Sequence, residues 1–320
     1  MQRYEYTTCR DICNGNTIVQ SRNSKTMLIQ PVASGMKLRQ EMKDSKTAGS
    51  TESFDIWWLG QSCFLVQWNG KCLLLDPYLS DSLTKKYSNT EKPHVRLSEL
   101  VIEPQLLDFI EIVTSSHNHT DHLDADTLIP ILGRNPDIKF IIPEANRGFV
   151  VDRVKCDSAF PIGLNDKEKV SWNDFTFYGM PAAHNSIERD EGGRSKFMGY
   201  VVQFGKFKIY HSGDTLWFDD MVELLKPHRV DVAFLPINGN DPARGVAGNL
   251  NAEEAARLGR EIEARLVIPH HYDLFEFNTA DPADFVREAL RYHQPAKVLK
   301  LGEKFTFRSV NRYPGAPMLA

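Results

Sequence analysis

The apolar positions of this chain fall into short runs with two different periods. From Phe54 it reads Phe54-Asp55-Ile56-Trp57-Trp58-Leu59, Cys63-Phe64-Leu65-Val66-Gln67-Trp68, Asn69-Gly70 and Lys71-Cys72-Leu73-Leu74-Leu75. Runs of this length, rich in aromatic and branched residues and bounded by turn residues, predict strands, and Asn-Gly between two of them predicts a tight hairpin. Similar runs predict strands at Ile110–Thr114, Lys139–Ile142, Phe175–Tyr178, Gly199–Phe204, Phe207–Tyr210, Val230–Leu235, Leu266–Ile268 and Val298–Leu301. Two stretches change to helical spacing. Asn251 stands three residues before Glu254, a capping arrangement ahead of Ala255, Ala256, Leu258 and Ile262. Asp281-Pro282 opens the other, with Phe285, Val286, Ala289 and Leu290 as its apolar face. Strand groups and helices in both halves of the chain are what two face-to-face sheets with helices on their outer surfaces require.

The first 35 residues carry neither period and read as a disordered leader. Met36–Lys43 reads as a short helix and Asp44–Ser53 as a polar link. The expected organisation is therefore a leader over 1–53, one domain over 54–310 and a tail over 311–320. A chain of 320 residues with 42% hydrophobic and 25% charged positions has enough apolar material for one large α/β domain. A net charge of −4 without a long Lys/Arg block argues against a nucleic-acid surface and leaves small solutes as the expected partners. Five scattered cysteines without a C-x-x-C pair point to a reduced, cytoplasmic setting. No run approaches the ~20 apolar residues of a membrane span. A homo-oligomer is compatible with this composition.

Chemistry concentrates in Ser116-His117-Asn118-His119-Thr120-Asp121-His122-Leu123-Asp124, directly after the Ile110–Thr114 strand. In an extended turn His117 and His119 can aim at one ion, while Asp121 and His122 can aim at another. A solvated polar loop is the bland alternative. More polar residues stand where apolar strands end: His184 in Pro181-Ala182-Ala183-His184-Asn185, Asp214 in Tyr210-His211-Ser212-Gly213-Asp214, and His271 in Pro269-His270-His271-Tyr272. With residues 117–122 they make seven ligands for two ions. Asp76, at the end of Leu73–Leu75, could accept an N–H from a ligand imidazole or simply cap a turn.

The order His-x-His-x-Asp-His, a distant His, Ser-Gly-Asp and a final His after Val-Ile-Pro resembles the metallo-β-lactamase superfamily over about Phe54 to Phe307. More narrowly, Trp57-Trp58-Leu59-Gly60, Tyr210–Asp214, Val230–Ala233 and Val267–His271 resemble its L-ascorbate-6-phosphate lactonase branch. The resemblance implies an α/β fold of the four-layer αββα sandwich type. It implies that His117, His119 and His184 hold one divalent ion, Asp121, His122 and His271 the other, and that Asp214 bridges them. His270 rivals His271, but the lactonase pattern favours the second histidine. Five imidazoles and two carboxylates suit zinc or manganese, with iron also compatible.

Two such ions would supply hydroxide at neutral pH and polarise the bond under attack. Asp121 could also orient the nucleophile, and His211, if it faces the substrate rather than packing in its strand, could protonate the leaving oxygen. Arg244, before Gly245 as in the lactonase pattern, could bind a phosphate or carboxylate. The chain departs from that branch after Asp76, at Pro77–Leu83, and in Ser186–Lys196, a charged insertion expected to cover the site. The leading expectation is a hydrolase of a small anionic lactone such as a sugar-phosphate lactone. A phosphodiesterase acting on lipid or nucleotide is the alternative. A flavodiiron-like oxidoreductase module and a noncatalytic metal-binding protein stand behind them.

Overall fold

The computed structural model describes residues 27–308. Strands β1 (Ser53–Gly60), β2 (Cys63–Trp68) and β3 (Lys71–Leu75) form an antiparallel meander. Its second turn is Asn69-Gly70, where both residues take positive φ (48° and 73°), as the predicted hairpin demands. Strands β4 (Ile112–Thr114), β5 (Lys139–Pro143) and β6 (Ile162–Leu164) then add in parallel to β3. The second sheet is built from β7 (Lys169–Trp172), β8 (Phe175–Pro181), β9 (Met198–Phe204), β10 (Phe207–His211), β11 (Val232–Pro236) and β12 (Leu266–His270). Here β7 to β10 run antiparallel and β10 to β12 parallel. Strand β13 (Lys304–Arg308) returns to the first sheet beside β1, giving the orders β13-β1-β2-β3-β4-β5-β6 and β12-β11-β10-β9-β8-β7.

The sheets meet through aromatic side chains: Phe64 of β2 lies 4.3 Å from Phe234 of β11, and Phe54 of β1 lies 5.2 Å from Phe204 of β9 (ring centroids). Every residue of β2, β11 and β12 is buried, as strands covered on both faces must be. The helices are α1 (Gly35–Ala48), α2 (Ser82–Tyr87), α3 (Ala125–Arg134), α4 (Arg147–Val154), α5 (Met221–Leu225), α6 (Ala252–Glu261) and α7 (Pro282–Arg291). In α6 the Asn251 side chain accepts from the Glu254 N–H and the Glu254 carboxylate from the Asn251 N–H, the box expected from the sequence. Gly259 lets this helix sit close on β12, since a Cβ there would meet Val267 Cγ2 at 2.3 Å.

Two expectations change. The stretch 35–53, grouped with the leader, is part of the packed molecule. Leu38 and Met42 of α1 are buried in the main core, and Glu41 accepts from the Trp57 indole at 3.1 Å. Residues 1–26 of the expected leader and the expected tail, 311–320, lie outside the described residues. Val298–Leu301 is not a strand. Leu299 and Leu301 are buried, which produces the apolar pattern, but the segment crosses from the edge of one sheet to the edge of the other and turns at Gly302. The pairing strand is Lys304–Arg308, which alternates with lower contrast at an edge.

Candidate metal centre

The carboxyl ends of β3, β4, β8, β10 and β12 supply Asp76, the 115–122 turn, His184, Asp214 and His271. The structure gathers all seven expected ligands into two groups, His117/His119/His184 and Asp121/His122/Asp214/His271, with ligand atoms in each group within 4.8 Å of one another. Asp214 lies between the groups: Oδ1 is 3.3 Å from His122 Nε2, and Oδ2 is 3.3 Å from His271 Nε2 and 3.7 Å from His184 Nε2. Gly213 makes this placement possible. It takes φ 59°, and a Cβ there would lie 2.7 Å from Ser116 Cβ.

The far nitrogens are held from behind. His122 Nδ1 donates to Asp76 Oδ2 at 2.7 Å, and His184 Nδ1 donates to the Gly248 carbonyl at 3.0 Å. These bonds fix Nε2 of each ring as the nitrogen that faces the site. Asp76 is itself fully buried and accepts from Thr114 Oγ1 at 3.1 Å and from Ser116 Oγ. Its expected part behind the ligands is the one the geometry gives it. Among the described residues His117 Nε2 is buried without a hydrogen-bond partner, and His122 Nε2 and Asp214 Oδ1 are buried facing each other at 3.3 Å. A buried polar atom left without a partner costs about 1–3 kcal/mol. An N/O donor set of five imidazoles and two carboxylates around that volume fits a pair of divalent cations.

Burial shapes the titration of the cluster. It depresses the His117 imidazole well below the usual histidine range, with the neighbouring His122, His119 and His184 adding to the effect, and takes His184 down to about 4. These rings are neutral and metal-competent at pH 7. In His122 burial opposes the charge, but Asp214 and Asp121 outweigh it and push the ring well above its ordinary value in the metal-free protein. For Asp214, burial is likewise overcome, by His122 and His271, and its carboxyl stays well below the carboxylate range.

Two expected site residues are placed elsewhere. His211 is fully buried under the cluster. Its Nε2 donates to the Ser62 carbonyl at 2.8 Å and its Nδ1 accepts from the Gly213 N–H at 3.2 Å. With both nitrogens occupied it does not meet a substrate, and the expected proton-donor role gives way to packing beneath the Ser-Gly-Asp turn. It stacks on His270 (5.3 Å, 2°), whose Nδ1 meets Ser62 Oγ at 3.1 Å, so His271 rather than His270 joins the ligands. Arg244 turns its guanidinium to the Asn238 carbonyl and, at 3.5 Å, to Asn278 Oδ1 and the Thr279 carbonyl. It clasps the loop after β12 instead of lining the cavity. Ser186–Lys196 is pinned rather than loose: Arg189 and Ser195 bond Asp166, and Asp190 accepts from the Gly192 and Arg194 N–H groups.

Gln61 was not expected from the sequence. In the β1–β2 turn, at φ 48°, its Nε2 donates to Asp121 Oδ2 at 2.8 Å and sits 2.9 Å from His271 Nε2, while its buried Oε1 has no partner. Glutamine carries no ligand signature, and only the turn backbone turns it inward. Together with His271 (φ 66°) and Asp76 (φ 42°) it makes three site residues in the left-handed region, where non-glycine residues store strain.

The cluster floors a cavity of about 520 Å³, a volume suited to a small molecule. Around its wall are Lys86, Tyr87, His94, Arg153, Glu188, Phe197, Phe275 and Phe277.

Comparison with known proteins agrees with this geometry. A family model described as a β-lactamase superfamily domain matches residues 55–271. A UPF0173 metal-dependent hydrolase of Methanosarcina mazei is 29% identical over 249 residues, covering 76% of this chain and 94% of its own length. A probable L-ascorbate-6-phosphate lactonase UlaG of Escherichia coli O127:H6 is 24% identical over 307 residues, covering 85% and 86%. Among solved structures, an isothiocyanate hydrolase from Delia radicum gut bacteria superposes with a TM-score of 0.64 at 18% identity, covering 80% of this chain and all of that one. This likeness, far below the level at which substrates transfer, concerns the αββα fold.

Proposed function

The chain belongs to the β-lactamase superfamily, and from that premise we propose that it is a metal-dependent hydrolase of a small anionic lactone. The observation that carries the reading is the convergence of seven N/O donors at one end of the sandwich, with His117 Nε2 buried and unpartnered among the described residues. In this reading His117, His119 and His184 hold one divalent ion, Asp121, His122 and His271 hold a second, and Asp214 serves both. Zinc or manganese suits the set best. Bound there, such ions supply Lewis acidity and a hydroxide nucleophile at neutral pH. The protein's own part is to fix the donors and to exclude water. Asp76 and the Gly248 carbonyl set the tautomers of His122 and His184. Gln61 restrains Asp121 Oδ2. In this reading Asp121, 18% exposed at the side chain and on the cavity floor, orients the attacking water.

The lactone assignment draws on the 24% identity to lactonases and on the cationic Lys86 at the cavity. A phosphodiesterase is the second reading, since the same donors can serve phosphoryl centres. Free Cys63, Cys72 and Cys156 go with a reducing, cytoplasmic setting. The test is hydrolysis by the metal-stripped and Zn²⁺- or Mn²⁺-restored protein of phosphorylated lactones and of phosphodiesters. Metal-restored lactone opening supports the proposal. Turnover of phosphodiesters alone replaces it with the second reading, and equal turnover by the stripped protein removes both.

A further inference from the structure

Part of the cavity wall is aromatic in a way that the metal chemistry does not use. Tyr87 and His94 stack at 4.2 Å with 17° between their planes, and His94 meets the edges of Phe277 at 4.6 Å and Phe275 at 5.1 Å. With Leu83, these rings all line the cavity. They belong to a hydrophobic cluster separate from the main core, built on Tyr78, Leu83, Leu274 and Phe275. Its two segments are tied together by backbone bonds, Leu97 N–H to Leu274 O at 2.9 Å and Glu276 N–H to Val95 O at 3.0 Å. Phe275 and Phe277 follow His271 by four and six residues, so the wall is fixed to the metal cluster by a short tether. Tyr87, His94 and Phe277 are only half-buried and line the cavity.

The cations near the cavity are committed, with one exception. Arg244 clasps its loop, Lys92 donates to the Ala243 and Arg244 carbonyls, and Arg153 Nη1 donates to Thr120 Oγ1 and the Leu123 carbonyl. Lys86 is exposed, lines the cavity, lies 4.9 Å over the Tyr87 ring and makes no ion pair among the described residues. Asn118 and Asn185 line the cavity from the loops that carry His117–His122 and His184.

We propose that the non-reacting part of the substrate is a planar, apolar ring bearing an anionic group, held by Tyr87, His94, Phe275 and Phe277 with Lys86 at the anion. A planar π-face satisfies the edges and faces of this wall. The inference narrows the anionic lactone to an aryl-bearing one. It rests on the reading of this cavity as the active site.

Binding, measured apart from turnover, tests it. Cinnamate, cinnamyl alcohol and gluconate are titrated calorimetrically into the zinc-loaded full chain. Both probes carry one carboxylate, but gluconate also chelates divalent ions through its α-hydroxyl, so the ring is read from how Phe277→Ala changes cinnamate against gluconate. Cinnamate is expected to bind at least about tenfold tighter than cinnamyl alcohol. Phe277→Ala should weaken cinnamate to a similar degree without changing gluconate, and Lys86→Gln should bring it toward cinnamyl alcohol. Phe277→Leu, which keeps the volume and the fold, should give an intermediate affinity. Phe277→Ala weakening cinnamate and gluconate equally, or neither, would overturn the proposal. If the hydrolase reading alone is wrong, the ring preference persists in a protein that turns nothing over.

Discussion

Gln61 and the ligand histidines show what single residues contribute. Gln61 Nε2 bonds a carboxylate of the cluster, and outer partners of this kind are worth about 10–100-fold in metal affinity. Gln61→Ala is therefore expected to weaken zinc binding at one of two sites by about tenfold in a competition titration, and an unchanged binding curve would remove its positioning role. Acid sensitivity follows from the depressed histidines. His184 titrates at about 4 in the folded, metal-free chain and near 6.5 unfolded, so the unfolded state binds more protons between those values. Stability from this one group, about 3 kcal/mol, is fully present above pH 6.5 and lost as pH falls toward 4. His122, raised well above its ordinary value, acts oppositely: its contribution is complete below pH 6.5 and fades as pH rises. Urea unfolding of the metal-free protein should thus show maximum stability near pH 6.5, and a flat profile from pH 7 to 4.5 would contradict the assignment. The convergence of the candidate ligands was legible because metal chemistry restricts residue type and strand ends restrict position. His211 was misread because a histidine before Ser-Gly-Asp looks the same in sequence whether its ring points into the cavity or, as here, beneath it.

At the level of elements, the turns and caps carry most of what the sequence could disclose. Asn69-Gly70 and the Asn251–Glu254 box are local patterns with local geometry, and both form. Removing the cap by Asn251→Ala should destabilise the fold by about 1 kcal/mol, read as a lower urea midpoint with unchanged metal content; an unchanged midpoint would show that the cap contributes nothing. Gly213→Ala belongs to the same scale but reports on the site. Its Cβ would press on Ser116 at φ 59°, so the β10 turn must shift Asp214, and zinc affinity should fall by an order of magnitude or more even where the fold survives. The Val298–Leu301 segment escaped correct reading because burial alone creates an apolar run. Whether that run pairs as a strand depends on where the chain crosses between sheets, which is a property of the whole topology. Arg244 failed for a related reason, since its partners Asn238 and Asn278 lie on loops that meet only in the folded molecule.

For the molecule as a whole, two sheets packed through Phe64–Phe234 and Phe54–Phe204 contacts hold five strand ends at one edge of the sandwich. The rigidity of that frame keeps the donor atoms of the two groups, among them His117 Nε2, His122 Nε2 and Asp214 Oδ1, aimed at a common volume. The long-range assembly was inferred from the order of the motifs, whereas the cavity wall, built by residues 78–94 and 274–277, was not, because aromatic residues in loops read as ordinary packing until they converge. The central claim is that this edge holds two divalent ions between which Asp214 stands. Its most direct test is elemental analysis of the full chain equilibrated with limiting Zn²⁺ or Mn²⁺ at pH 7.5 and freed of unbound metal, wild type beside Asp214→Ala, with circular dichroism to check that both are folded. The account predicts close to two ions per wild-type chain and fewer than one in folded Asp214→Ala. A folded wild type that retains no metal, or an Asp214→Ala protein that still retains two ions, would contradict it.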